Sequence, residues 1–257
     1  MIRVMRADAT LGSRLSTAGL DWIVPDWPAP ARVLAFSTTK NGPGGAPVDF
    51  ARAASNPSAR ALLRRFAPAE PLWLSQVHGA AIASADLDHG GAPEADGAVA
   101  RVAGRVCAVL SADCLPVLLA DREGNVVAAA HAGWRGLAAG VLDAAVVSMR
   151  TEPRRLLAWL GPAIGPRAFE VGADVHAAFC DADPGAGASF AATGAGKWHA
   201  DLYALARRAL ARAGVDATRI YGGGRCTLSD ATTFYSYRRG GADRNARMAT
   251  LIWLAPG

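Results

Sequence analysis

The chain has 257 residues, 51% of them hydrophobic, so it can bury a sizeable core and is close to the upper limit for a single one. Its formal charge of +5 rests almost wholly on arginine, with lysine only at positions 40 and 197. These arginines are scattered rather than gathered in the stripe that nucleic acid requires, which argues against that class of partner.

Residues 1–30 carry three prolines and two tryptophans near their end and read as a lead-in segment that packs on the body. Its first residues lack the continuous apolar core of a secretory signal. Val33 to Thr39 is a strand candidate running into the flexible loop from Lys40 to Gly45. Ser58 to Phe66 has helical spacing, with Ser58 as N-cap. Leu72 to Val77 reads as a buried strand ending at Gln76 and His78. Ala98–Ala100 and Val106–Leu110 look like a strand pair turned at Ala103-Gly104, and Val117–Ala120 and Val126–Ala130 like another. Gly136 to Met149 places apolar residues three to four apart, as one helical face. Leu156–Leu160 is a strand closed by Gly161-Pro162, and 181–196, rich in Gly, Ala and Asp, reads as a mobile loop. Asp201 to Ala213 is the clearest helix, stopped by Gly214. Ile220–Leu228 and Met248–Leu254 finish as strands.

No repeat and no long linker divides the sequence, so one α+β domain over 1–257 is expected. The longest apolar stretch, 106–120, contains Asp113 and Pro116 and is too short to span a bilayer. The four cysteines (107, 114, 180, 226) show no paired spacing and read as reduced thiols of a cytoplasmic protein.

Three residues stand out because each ends or interrupts an apolar stretch beside Gly or Pro. They are His78 in Gln76-Val77-His78-Gly79, Cys114 in Asp113-Cys114-Leu115-Pro116, and His131 in His131-Ala132-Gly133-Trp134-Arg135-Gly136. Two imidazoles and a thiolate suffice for a catalytic zinc that keeps one position open. Their long separations match no local finger, so this would be a site assembled from distant strand ends. Asp113 needs a polar cleft or a partner, since an apolar strand rarely accepts a carboxylate. Gln76 shares the strand face of His78, and Arg135 suits a phosphate or carboxylate. Cys107 and Cys180 read as core residues, and His89, His176 and His199 as surface or helix residues. In the tail, Phe234-Tyr235-Ser236-Tyr237-Arg238-Arg239 sets aromatics beside guanidiniums, which could hold a planar base and an anion or form a charged edge strand.

Taken together, Gln76-Val77-His78-Gly79, Ala95-Asp96-Gly97, Ala112-Asp113-Cys114-Leu115-Pro116, His131 to Gly136, Leu160-Gly161-Pro162-Ala163-Ile164-Gly165, Phe169-Glu170-Val171-Gly172, Asp201-Leu202-Tyr203 and the Cys226-Thr227 to Arg239 tail resemble the YfiH-like family. That family is also labelled multicopper polyphenol oxidase or laccase-domain, peptidoglycan editing factor, and purine nucleoside phosphorylase. The resemblance spans 33–254. It implies a mixed β-sandwich between helices, in α/β/β/α layers, and metal ligands at His78, Cys114 and His131. It also implies phosphorolysis of adenosine, inosine, guanosine and methylthioadenosine, with adenosine deamination as a second reaction. The early motif departs from the family's Thr-Thr-Arg: here it is Thr38-Thr39-Lys40, with an insertion before Gly44-Gly45. Lysine keeps the charge but not the bidentate geometry.

The expected mechanism is therefore zinc-dependent, with copper as the alternative ion. Lys40, Arg135 and Arg238 would hold phosphate, Gln76 would bond the nucleoside, and Asp113 would steer a proton or orient a ligand histidine. No protein partner is evident in the sequence. Three rivals remain open at this stage. In a thiol amide hydrolase acting on misloaded cell-wall precursors, Cys114 would attack and His131 would be its base. A copper oxidase is disfavoured because a multicopper centre needs more imidazoles than five histidines supply. A non-enzymatic module would use the three donors as a merely structural site.

Overall fold

In the computed structural model, residues 7–51 and 56–256 are described; the first six residues of the lead-in segment lie outside that range. A six-stranded mixed sheet forms the centre, built from β2 (Ile82–Ser84), β3 (Gly97–Ala100), β5 (Leu115–Asp121), β6 (Val127–Ala132), β7 (Leu156–Leu160) and β11 (Ile220–Gly222). Its order is β11-β7-β5-β6-β3-β2. A second, antiparallel sheet takes the order β1-β12-β4, from β1 (Val33–Ser37), β12 (Met248–Leu254) and β4 (Val106–Ser111).

Strand alternation sorts the apolar side chains into three cores. On one face of the large sheet Leu115, Val117, Leu119 and Ala158 pack beneath α3 (Trp134–Ala138), α4 (Val141–Ser148) and α6 (Leu202–Arg212). On the other face Leu118, Val127, Leu157 and Trp159 meet Ala35, Cys107, Val109 and Ile252 of the second sheet. That sheet's outer residues, Phe36, Val106, Leu251 and Trp253, are covered by α1 (Ala7–Thr17) and α2 (Pro57–Arg64). Helices, sheet, sheet, helices is the expected layering. A small sheet of β8 (Glu170–Val171), β10 (Lys197–Ala200) and β9 (Phe190–Gly194) sits beside α5 (Ala173–Cys180).

Several local expectations are corrected. The 98–100 and 106–110 strands do not pair: β3 bonds to β2 and β6, and β4 to β12, so the turn between them crosses from one layer to the next. Both strands are almost wholly buried, and a strand covered on both faces carries no alternation to specify its partner. The 136–149 helix is two, α3 and α4, broken where Gly140 takes a φ of 87°. Asn56, not Ser58, caps α2, its side chain accepting from the N–H groups of Ser58 and Ala59. Residues 72–77 are extended but make only isolated bridges, at Leu72 and Ser75, and are not buried. The 181–196 segment holds a 3-10 turn and β9. Beyond Gly222 the chain leaves the strand expected to reach Leu228. Cys107 is fully buried as expected, whereas Cys180 is only half-buried.

Candidate metal centre and active-site cavity

The β5–β6 hairpin does most of the positioning. Its register sets Pro116 opposite His131 and Leu115 opposite Ala132, so Cys114, one residue before β5, lands beside the end of β6. The loop 75–79 then brings His78 in from the side. The ligand atoms of His78, Cys114 and His131 all lie within 4.8 Å of one another, the one such group among the described residues. Cys114 Sγ is 3.9 Å from His78 Nε2, and the two imidazole rings meet edge to face at 4.9 Å. Gly133 is needed at this point: a Cβ there would come within 2.9 Å of Cys114 Sγ and 3.1 Å of His78.

A carboxylate that the sequence reading gave no role ties the centre together. Asp96, at the start of β3 and fully buried, accepts His131 Nδ1–H at 2.8 Å, leaving Nε2 of that ring for a ligand. It also accepts the backbone N–H groups of Val77 (3.1 Å), His78 (2.9 Å) and Gly79 (2.6 Å). These bonds hold His78 at a φ of 62°, a left-handed conformation costing about 1–3 kcal/mol for a non-glycine residue. Burial works to raise the Asp96 carboxyl, but His131 and the Gly79 and Val77 N–H groups outweigh it and lower the pKa. Burial likewise pushes the Cys114 thiol up. The charge of His131 and hydrogen bonds from both imidazoles more than reverse this and bring it to about 6. His131 is raised in turn: burial lowers it, but the Cys114 thiolate and Asp96 prevail.

The three donors open onto a cavity of about 580 Å³. Trp134, Arg135, Phe169, Tyr237, Arg238 and Arg247 contribute to its walls. The Arg135 guanidinium stacks on Trp134 at 4.4 Å and has no hydrogen bond or ion pair among the described residues. Arg238 lies over Phe169 and donates to the Glu170 carbonyl. Its neighbour Arg239 is spent on structure, bonding Asp243 and the Phe234 and Leu228 carbonyls.

Three expected helpers are placed differently. Asp113 does not orient a histidine. Its carboxylate accepts Thr227 Oγ1 (2.6 Å), Ser236 Oγ (3.0 Å) and the Arg238 N–H (2.7 Å), anchoring the C-terminal loop beside the cavity. Gln76 lines the cavity, but its amide pairs with both backbone groups of Leu110, at 2.9 and 2.7 Å, as a strand would. Lys40 bonds the Ala231 carbonyl and is not part of the cavity wall. Sequence reasoning also missed Arg247 and Asn245, which reach the cavity from a segment with no motif. Asp96 did leave a signal: a carboxylate immediately before an apolar strand.

Fold and donors together define a layered α/β protein with a three-donor, metal-type site in an open cavity. The profile of the family described as multi-copper polyphenol oxidoreductase laccase matches residues 49–255, and the chain belongs to that family. A relative from Xylella fastidiosa (strain Temecula1), named purine nucleoside phosphorylase, is 46% identical over 254 residues, covering 91% of this chain and 97% of its own. Purine nucleoside phosphorylase YfiH of Escherichia coli K12 is 46% identical over 90% of this chain and 98% of its own. Among solved structures, a Neisseria meningitidis protein shares 44% identity with a TM-score of 0.82, covering 92% of this chain and all of that one. YlmD from Geobacillus stearothermophilus reaches the same TM-score at 28% identity, covering 91% and 96%.

Proposed function

We propose that this protein is a zinc-dependent purine nucleoside phosphorylase, with adenosine deamination as a second reaction. The observation that carries the reading is the convergence of His78, Cys114 and His131 on a cavity that also holds unspent guanidinium charge. Two relatives are named purine nucleoside phosphorylase, which supports the phosphorolysis. The donor types fit the ion. Tetrahedral zinc sets N and S ligands about 3.3–3.6 Å apart; the Cys114–His78 pair stands at 3.9 Å and all three ligand atoms lie within 4.8 Å, so the trio would close by up to about 1 Å on binding. One lowered thiol and two imidazoles with a free nitrogen suit zinc better than a multicopper cluster. The remaining histidines are spread out: His89 bonds the Ser84 carbonyl, His176 stacks on Trp198, and His199 lies in β10.

When bound, the ion supplies Lewis-acid polarisation for phosphorolysis and an acidified water for deamination. The chain's own groups do the rest. Arg135 is free to take a phosphate oxygen, with Arg238 and Arg247 on the same wall. Tyr237, exposed at the cavity, offers a face for the purine. In the reaction a phosphate oxygen bonds to the ribose C1′ as the glycosidic C–N bond breaks. The purine leaves with the bonding electron pair, and ribose 1-phosphate is the second product. No helix among the described residues is long and apolar enough to cross a membrane. With four free cysteines, one of them a ligand, we place the protein in the cytoplasm.

A second reading draws on one specific feature. Cys114, His131 and Asp96 form a thiol–imidazole–carboxylate chain, the arrangement of a cysteine nucleophile with its base and orienting acid, which an amide hydrolase acting on peptidoglycan precursors would use. One experiment separates the two. Adenosine is incubated with and without phosphate, using wild type and Cys114→Ser, and the products are identified by mass spectrometry. Adenine and ribose 1-phosphate formed only with phosphate support the phosphorylase, and inosine reports deamination. Neither product from adenosine, or full activity in strong chelator after metal removal, refutes the zinc enzyme and favours the thiolate.

A further inference from the structure

A second cavity, of about 280 Å³, opens where the parallel strands β7 and β11 end, between them and the segment 23–26. Its walls are polar and apolar in about equal measure, the apolar part coming from Ile23, Val24, Leu160, Pro162 and the edge of Trp159. Three polar groups border this space, the buried indole of Trp159 and the exposed side chains of Asp26 and Arg225. Trp159 is only 3% exposed, yet its indole Nε1–H finds no acceptor among the described residues, whereas a buried indole N–H ordinarily has one. Among the described residues the sealed-in side-chain atoms without a hydrogen bond are Arg60 Nε and Glu70 Oε2, so the indole N–H keeps access to the cavity that Trp159 lines. Gly222 keeps that edge clear, because a Cβ there would come within 2.8 Å of Nε1. Arg225 and Asp26 also line the cavity, and neither forms an ion pair or a side-chain hydrogen bond among the described residues.

The frame around these groups is preformed. The Tyr203 hydroxyl accepts the Ala163 N–H at 2.9 Å and lies 2.6 Å from the Arg225 carbonyl and 3.2 Å from that of Gly161. One phenol thus ties the exits of both strands together. An indole N–H can only donate and a guanidinium can only donate, so the ligand must present acceptor oxygens. Asp26, also at the cavity's edge, can only accept, so a ligand that carries donors as well makes fuller use of the site. A bare anion supplies the acceptors but not the donors.

We propose that this cavity is a binding site for a small hydroxylated phosphate ester, a sugar phosphate, separate from the catalytic cavity. The phosphate lies between Trp159 Nε1–H and Arg225, the hydroxyl groups turn toward Asp26, and the sugar carbons rest on Pro162 and Ile23. Nothing in this assignment depends on the phosphorylase reading.

The test is calorimetric titration of the intact protein with ribose 5-phosphate, alongside ribose and inorganic phosphate as separate probes. Ribose 5-phosphate binds, and both Arg225→Gln and Trp159→Phe weaken it at least tenfold. The second substitution keeps an aromatic ring but removes the donor together with part of the indole; its melting temperature falls, as a core truncation requires, while one cooperative transition in each variant confirms that both are folded. Arg135→Gln, in the catalytic cavity, leaves this binding unchanged. Loss of binding in Arg135→Gln alone would show the ligand in the catalytic cavity and overturn the proposal. So would ribose binding as tightly as its phosphate ester, inorganic phosphate matching the ester, or no heat at millimolar ligand. Because the readout is binding and not turnover, a failed phosphorylase reading leaves the outcome interpretable.

Discussion

Replacing Asp96 by Asn should uncouple metal binding from the fold. Four donors converge on this carboxylate: His131 Nδ1–H and the N–H groups of Val77, His78 and Gly79. An amide of the same shape offers one acceptor oxygen and turns its NH2 group against the remaining donors. Two charge-assisted bonds are lost at about 1.5–3 kcal/mol each, or about 3–6 kcal/mol in all. That is a large share of the roughly 5–15 kcal/mol that stabilises an ordinary domain, so the variant folds with a clearly lower melting temperature. Its zinc affinity falls about 10–100-fold, because His131 loses the partner that fixes its tautomer and His78 loses the anchor of its left-handed backbone. Competition with a chromophoric chelator measures this, and cobalt substitution shows whether the ligand field is distorted. Asp113→Asn is the control. It disturbs the Thr227, Ser236 and Arg238 anchor, so it lowers stability while changing zinc affinity less. An Asp96→Asn protein that is folded and holds zinc within twofold of wild type refutes the role assigned to Asp96.

Other consequences can be measured directly. Arg135→Gln raises the KM for phosphate by about 10–100-fold, the equivalent of one charged hydrogen bond, with little change in melting temperature because the guanidinium supports nothing else but its stack on Trp134. In metal-free protein Cys114 is alkylated by iodoacetamide with a midpoint near pH 6, since the thiolate persists above that value; mass spectrometry locates the adduct, and added zinc blocks it. A midpoint at the ordinary thiol value of about 8.5 would contradict the imidazole–thiol pairing. Leu118→Ala, between the two sheets, costs about 2–5 kcal/mol on denaturant unfolding yet leaves one zinc per chain.

What the sequence made legible follows the local physics. The β5–β6 hairpin, β7, α6 and β12 were readable because each pairs a clear apolar pattern with its own stop signal. The three donors were readable for a related reason: polar, metal-binding side chains at the ends of apolar strands have few structural uses. Partner choice was not readable where burial is two-sided. β3 and β4 look like a hairpin because they are neighbours in sequence, but they belong to different layers. Roles were misjudged where proximity in sequence stood in for proximity in space. Asp113 adjoins Cys114 in the chain and yet serves Thr227 and Ser236, while Asp96, far from both imidazoles in sequence, anchors the pair. Lys40 kept the charge its family position implies, but the Ala231 carbonyl holds it away from the cavity wall.

The donors are unequal in their mounting. Cys114 and His131 are set by neighbouring strands of one hairpin, whereas His78 rides on an exposed loop joined to the sheets through single bridges, the Gln76–Leu110 pair and Asp96. The hairpin thus carries two of the donors on one rigid unit, and the third depends on a separate support. Three consecutive amides gripped by one carboxylate are what keep His78 within reach of the other two, so the quality of the centre as a chelate would rest on that single side chain.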